Sequence, residues 1–251
     1  MRHLFSPEGE RALDAVMQLE PLLAFDFDGT LAPIVPMPHE ARVPKAVSDG
    51  LARLSRRLPL AIITGRSVAD VKPRLGFEPN YIVGNHGAED PLIGPPSSAS
   101  QALDAVRERV EVHAEALRRS GIVIEDKQYS LAFHYRLAPD AGAALVCIEE
   151  LLQGVEPALK RFGGKCVVNV MATGLPDKGD ALASLVRRAG AGSAVFIGDD
   201  ENDEAVFMRA TPHWLTVKIG RNDPLSRAMF FLDSDQELVL VLQKMLVLAD
   251  G

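Results

Sequence analysis

The sequence predicts an α/β protein: a three-layer core on a parallel sheet, with a smaller α+β domain inserted into it. Three observations carry that prediction. Short apolar runs alternate with helical patterns over much of the 251 residues, as βαβ units require. Those runs are continuous rather than polar–apolar, as in strands covered on both faces. Between residues 89 and 173 the pattern changes to helix, half-polar strand, helix, strand. This sets a second domain apart from a core at 1–88 and 174–251.

The first core strand is Leu22-Leu23-Ala24-Phe25, and Pro33 and Pro36 bar its continuation. It delivers Asp26 and Asp28 to its carboxyl end, where open α/β sheets bind ligands. Residues two apart in extended chain point the same way, so both carboxylates should share one small space. Carboxylates held that close need a cation, a shared proton, or both. The Gly29-Thr30 turn then offers backbone N–H groups to an anion. Together these residues read as a site for a metal and a phosphate.

The second strand, Leu60-Ala61-Ile62-Ile63, ends in Thr64-Gly65-Arg66-Ser67, with Ser67 as helix N-cap and Asp70 completing a capping box. A hydroxyl and free N–H groups at such a helix entry suit phosphate oxygens. An ordinary strand–turn–helix accounts for this piece alone equally well. The third strand, Tyr81-Ile82-Val83, leads to Gly84-Asn85-His86, where His86 either meets a substrate or serves as a hinge. Pro91, Gly94-Pro95-Pro96-Ser97-Ser98 and Ser100 form a turn-rich stretch that ends this block. The insertion is predicted to hold a charged helix at 102–119, a strand with one exposed face at 129–136, a helix at 141–152 and a strand at 166–170.

The core resumes at Pro176-Asp177-Lys178-Gly179-Asp180. Asp177 caps a helix, and Lys178 in its first turn opposes the helix dipole, so it either serves something negative nearby or lies solvated at the surface. Strands follow at 194–197 and 214–217. Directly after the first of these, five of the six residues from Asp199 to Glu204 are acidic. A helix N-terminus carries roughly half a positive charge, too little to offset five carboxylates. A divalent cation would relieve the repulsion. Oxygen donors without a Cys or His cluster point to Mg²⁺ rather than zinc.

A net charge of −7 argues against a nucleic-acid or anionic-membrane partner. The longest apolar run, 238–248, is broken by Gln243-Lys244 and too short to span a bilayer; it reads as a packed terminal helix. The N-terminal residues lack the apolar stretch of a signal peptide. Cys147 and Cys166 show no metal spacing and read as buried free thiols of a reducing cytoplasm. The expected state is a cytoplasmic monomer or weak dimer.

An Asp-x-Asp-Gly-Thr strand end at Asp26 to Thr30, a strand-end Thr64, Lys178 and the Gly198-Asp199-Asp200-x-x-Asp203 segment occur here in that order. The set resembles the haloacid-dehalogenase-like phosphohydrolases, which implies a Rossmann-like core with a mobile cap. Asp28 to Ile34, Gly65-Arg66-Ser67, Gly84 to Glu89, Glu125-Asp126-Lys127 and His134-Tyr135-Arg136 are similar to trehalose-6-phosphate phosphatases. The resemblance implies a nucleophile at Asp26, an acid/base at Asp28, and phosphate contacts from Thr64 and Lys178. It also implies Mg²⁺ held by Asp26, the Asp28 backbone carbonyl and Asp199, with Asp200 and Asp203 in support. Gly29, Thr30, Gly65, Arg66, His86, Lys127, His134, Arg136 and Asn169 are the further phosphate- or sugar-binding candidates. His134 and Arg136 share a strand face by period two.

One departure from the family pattern bears on the sugar. Asn169 stands where trehalose-phosphate phosphatases usually carry a Glu, and the basic residue and proline that normally follow are missing. Sucrose phosphate and glucosylglycerol phosphate are therefore rival substrates for the same chemistry. A phosphomutase would use the same two aspartates but must return its phosphate to substrate. A signalling receiver domain combines acids, Thr and Lys too, yet has no inserted domain and no use for Asp28. An intact acid/base there also argues against a non-catalytic sugar-phosphate sensor.

Overall fold

A computed structural model describes residues 1–94, 101–155, 158–164, 166–221 and 223–250. The chain divides into two compact units, Met1–Pro91 with Pro176–Gly251, and Leu92–Leu175. The first holds a seven-stranded sheet in the order β1-β11-β10-β9-β2-β3-β4. Its centre is β2 (Leu22–Phe25), flanked by β3 (Leu60–Ile63) and β9 (Ala194–Gly198). Beyond these lie β4 (Tyr81–Val83) on one side and β10 (Trp214–Ile219), β11 (Phe230–Leu232) and β1 (Arg2–His3) on the other. Every pairing is parallel, with Phe25 opposite both Ile62 and Ile197.

Alternation along the strands splits the interior into two cores. Leu23 and Phe25 point into one, shared with α1 (Pro7–Met17), α2 (Lys45–Leu54) and the terminal α9 (Leu238–Asp250). Leu22 and Ala24 point into the other, shared with α7 (Lys178–Ala189) and α8 (Glu204–Arg209). Both faces of β2 are thus sealed, which explains its unbroken apolar run. Each fully buried Leu or Phe contributes about 1.5–3 kcal/mol. With all strands parallel, their carboxyl ends collect at one edge. Among the described residues no helix is long and apolar enough to cross a membrane.

The second unit carries an antiparallel sheet in the order β5-β6-β8-β7, formed by β5 (Val123–Asp126), β6 (Ser130–His134), β7 (Leu159–Gly164) and β8 (Val167–Ala172). Two of these strands had no signal in the apolar pattern: β5 is short and half acidic, and β7 ends in two glycines. The charged stretch at 102–119 is not one helix. It breaks at His113 into α4 (Asp104–Val112) and α5 (Ala114–Arg119). The next helix, α6, runs Ala141–Leu151. Strand β6 does not expose one face as its alternation predicted: Ser130 and Ala132 are as buried as Leu131 and Phe133. Its alternation is one of size.

Cys166 corrects the expectation of buried thiols. It is exposed, in a left-handed turn conformation between β7 and β8, while Cys147 is half-buried. The turn-rich residues Pro95 to Ser98 and Ser100 lie outside the described residues.

Helix α1 enters the core through a close backbone approach. A Cβ at Gly9 would lie 2.3 Å from the Leu4 carbonyl oxygen. Overpacking of this kind costs about 1–3 kcal/mol, more than the gain of up to ~1 kcal/mol from replacing a helical glycine with alanine. Gly9→Ala should therefore lower the denaturant midpoint. An unchanged or raised midpoint would mean that the Leu4 carbonyl yields freely.

Candidate active site

Asp26 leaves β2 at the carboxyl edge of the parallel sheet, its N–H donating to the Ile197 carbonyl at 3.0 Å. The chain then turns sharply. The N–H groups of Leu31 and Ala32 both donate to the Phe27 carbonyl, and that of Gly29 donates to Ala32. Gly29 sits at φ +81°, where a Cβ would lie 2.1 Å from the Asp199 carboxylate, so only glycine fits. The amides of Gly29 and Thr30, expected to face an anion, instead close this turn; the Thr30 N–H points to the Phe27 carbonyl at 3.4 Å. The Thr30 hydroxyl donates to Asp199 Oδ1 at 3.3 Å.

Lys178 begins α7, and its Nζ lies 2.9 Å from Asp26 Oδ1 and 2.7 Å from Asp203 Oδ1. The Asp177–Asp180 capping box fixes this helix start. The other oxygen of Asp203 accepts from the N–H groups of Asp199 and Asp200, at 2.8 and 2.9 Å. Burial works to discharge Lys178, but Asp203 and Asp26 outweigh it and hold its pKa above the ordinary lysine range. Burial pushes the Asp26 carboxyl well above its usual range; Lys178 opposes this, while Asp203 and Asp199 push further.

One carboxylate oxygen each from Asp26, Asp199 and Asp203 lies within 4.8 Å of the others. All three carboxylates are buried, and the Lys178 ammonium is bonded to two of them, Asp26 and Asp203. An all-oxygen donor set fits a hard divalent cation. Asp200 is used otherwise: its carboxylate caps the turn Glu201–Asp203, accepting from the Glu201 N–H at 2.9 Å and Asn202 Nδ2 at 3.0 Å.

Asp28 and Asp26 have different basic partners, Arg66 for the one and Lys178 for the other. The two Asp28 oxygens accept from Arg66 Nη2 and Nε at 2.6 and 2.7 Å. Arg66, expected to bind phosphate, is committed to Asp28, to Asp70 and to the Pro38 carbonyl. Asp70 does not complete a capping box at the start of α3 (Val68–Val71). Ser67 accepts from its N–H, but its carboxylate is taken by Arg66 and Arg74. Burial favours the neutral acid there, yet the two guanidiniums prevail and hold the Asp70 carboxyl below its usual range.

The Thr64 hydroxyl accepts from the Arg66 N–H at 3.1 Å. The Gly84–Glu89 turn braces this loop. Asn85 N–H donates to the Arg66 carbonyl and His86 N–H to the Thr64 carbonyl, with the His86 ring packed over Gly65. Glu89, the last residue of the Gly84 to Glu89 motif and not among the site candidates, accepts from Val68 N–H and Asn85 Nδ2, at 2.9 and 2.8 Å. Its only local signal was an acid four residues past Asn85. Asp70 and Asp203 were likewise visible as acids, but nothing local showed what they hold.

In the second unit, register aligns Glu125, Ala132 and Asn169 across three strands, so they share a face. His134 and Lys127, each two residues along, belong to the same face. Glu125 Oε2 lies 3.0 Å from His134 Nε2 and 3.6 Å from Lys127 Nζ. Arg136 does not follow by period two: β6 ends at His134, and Tyr135 N–H turns to the Cys166 carbonyl.

A parallel sheet with an acidic carboxyl edge and a separate α+β unit define the haloacid-dehalogenase-like hydrolase fold. A protein of that description from Bacteroides thetaiotaomicron matches 90% of this chain and 99% of its own at TM-score 0.65 and 15% identity. The chain belongs to the trehalose-phosphatase family, whose model matches residues 24–228. A trehalose-phosphate phosphatase of Mycobacterium avium is 34% identical, aligned over 91% of this chain and 63% of its own length. The chain thus spans under two thirds of that relative. The C-terminal domain of the Candida albicans trehalose-6-phosphate phosphatase matches 95% of this chain and 96% of its own at TM-score 0.76 and 23% identity.

Lys178→Ala would strand two buried carboxylates without their cation. Breaking a buried pair in this way costs about 3–5 kcal/mol. Denaturant unfolding should show a loss in that range. A loss below about 1 kcal/mol, the worth of an exposed pair, would mean that Asp26 and Asp203 are compensated by another group.

Proposed function

We propose that this protein hydrolyses trehalose 6-phosphate to trehalose and inorganic phosphate, in the cytoplasm and with Mg²⁺. The buried grouping of Asp26, Lys178, Asp203 and Asp199, with Asp28 two residues on, carries this reading. Asp26 attacks phosphorus in line, forming an aspartyl-phosphate as the P–O bond to the sugar breaks. Asp28 gives a proton to the departing sugar oxygen. It then takes one from water, whose oxygen attacks phosphorus and returns Asp26 as carboxylate. Lys178 and the Thr64 hydroxyl counter the charge on the phosphoryl oxygens. Asp26, the Asp28 carbonyl and Asp199 would hold Mg²⁺, which supplies further positive charge to the phosphoryl group. In this scheme Asp203 acts by positioning Lys178 and the Asp199 backbone, and Asp200 by shaping the turn.

The unit at 92–175 serves as the cap that selects the sugar, in this reading through Lys127, His134, Arg136 and Asn169, with Glu125 joining them. His86 and Gly65 contribute through the shape of the Thr64 loop. Asn169 favours a second reading, the same chemistry on sucrose phosphate or glucosylglycerol phosphate. An amide still pairs with hydroxyls but brings no charge to the sugar.

Asp26→Asn should abolish phosphate release; appreciable turnover in that variant would sink the nucleophile assignment. The substrate is tested by phosphate release with Mg²⁺ from trehalose 6-phosphate, sucrose 6-phosphate, glucose 6-phosphate and glucosylglycerol phosphate. A kcat/KM preference for trehalose 6-phosphate of ~100-fold, about what a few lost sugar hydrogen bonds cost, is the expected outcome. A flat profile or another winner would keep the phosphatase and reassign the sugar.

A further inference from the structure

We infer that Arg66 is a positioning residue for Asp28: it holds the acid/base carboxyl in its working geometry and does not bind the phosphate. The inference rests on the phosphatase reading above. Its ground is how the guanidinium is spent. Nε and Nη2 form a fork on the two Asp28 oxygens, at 2.7 and 2.6 Å. Nη1 donates to Asp70 Oδ2 at 2.7 Å, and Nη2 donates again to the Pro38 carbonyl at 2.9 Å. The guanidinium carbon also lies 5.0 Å from the centre of the Phe27 ring. Four of the five N–H directions of an arginine are thereby committed. An arginine that recognises phosphate keeps its fork for the ligand. This one would have to abandon Asp28 to do so.

The support behind Arg66 points the same way. Its side chain is nearly buried, whereas Asp28 keeps 38% of its side-chain surface exposed. An aspartate that open would otherwise sample several rotamers. The Arg66 backbone is pinned at both ends, its N–H on the Thr64 hydroxyl and its carbonyl on the Asn85 N–H. Asp70, itself gripped by Arg74, holds the guanidinium from behind. The fork takes one lone pair from each Asp28 oxygen and leaves the other for proton transfer.

The test separates proton delivery from general damage. The value of kcat/KM reports the steps up to irreversible loss of the leaving group. A sugar alkoxide needs a proton at that point; p-nitrophenolate does not. In Arg66→Lys the charge stays but the fork is lost. Its kcat/KM should fall ~100-fold for the sugar phosphate that the wild type prefers, with KM little changed, and below ~5-fold for p-nitrophenyl phosphate. Equal losses on both esters would overturn the inference. So would no loss at all, or a raised KM with kcat unchanged, which would make Arg66 a substrate ligand. Should Arg66→Lys fail to fold, Asp70→Asn removes the brace while keeping the fork. It should show the same selectivity at about 10-fold on the sugar ester, and equal losses there would again overturn it. A wild-type protein inactive on every ester would sink the phosphatase reading and this inference with it. An active wild type with unselective variants would sink the inference alone.

Discussion

The Lys178 ammonium, held between Asp26 and Asp203, is the interaction on which the rest of the core site depends. A parallel sheet collects its strand ends at one edge, and this sequence puts carboxylates there: Asp26 after β2, Asp199 after β9, and Asp203 one turn further on. Each is buried, and an isolated carboxylate out of water costs several kcal/mol. Lys178 arrives from the other end of the chain at the start of α7, the end of a helix that repels a cation. The capping box at Asp177 and Asp180 places two acids beside that start and offsets the repulsion. The arrangement is tolerable because each member is hydrogen-bonded, Asp203 on both of its oxygens.

What the sequence showed of this was whatever is local. Strands β2 and β3 begin and end where their apolar runs do, because burial on both faces leaves no room for a polar residue. The misplaced Lys178 could be read as seeking an anion because the dipole penalty is itself a local fact. Partners distant in the chain were not legible. Arg66 looks like a phosphate ligand until Asp28, 38 residues earlier, is seen to occupy its fork. Asp70 sits where a capping box would have it, and two arginines then claim its carboxylate. Cys166 reads as buried from its apolar neighbours, yet it lies exposed in a left-handed conformation between β7 and β8.

The two units divide the chemistry differently. In the core, hydrogen bonds fix Asp199, Asp203 and Lys178, which under the proposed function suits a phosphoryl group that is the same for every ester. In the second unit a polar sheet face carries Glu125, Lys127, His134 and Asn169, with Glu125 already engaged by two of its neighbours. Under the proposed function, substitutions on that face would alter which sugar hydroxyls are met. Under the proposed function, Asn169 is therefore a change in sugar recognition, separable from the chemistry.

The fates of Asp26 and Asp28 show how charge accounting assigns roles. Two residues apart on one strand end, they were expected to share a cation or a proton, and the structure gives each its own basic partner. Around Asp28 the network is balanced: Arg66 and Arg74 face Asp28 and Asp70. Around Asp26 three buried carboxylates meet, Asp26, Asp199 and Asp203, with Lys178 bonded to the first and the last. A divalent cation is drawn to the second network and has no electrostatic reason to enter the first. Under the proposed function, metal binding by side chains would belong to Asp26 and Asp199. In that reading the Asp28 carboxylate, paired with Arg66, would be left to proton transfer. Under the proposed function, one strand end would present a nucleophile shielded by cations and an acid/base that does not compete for them.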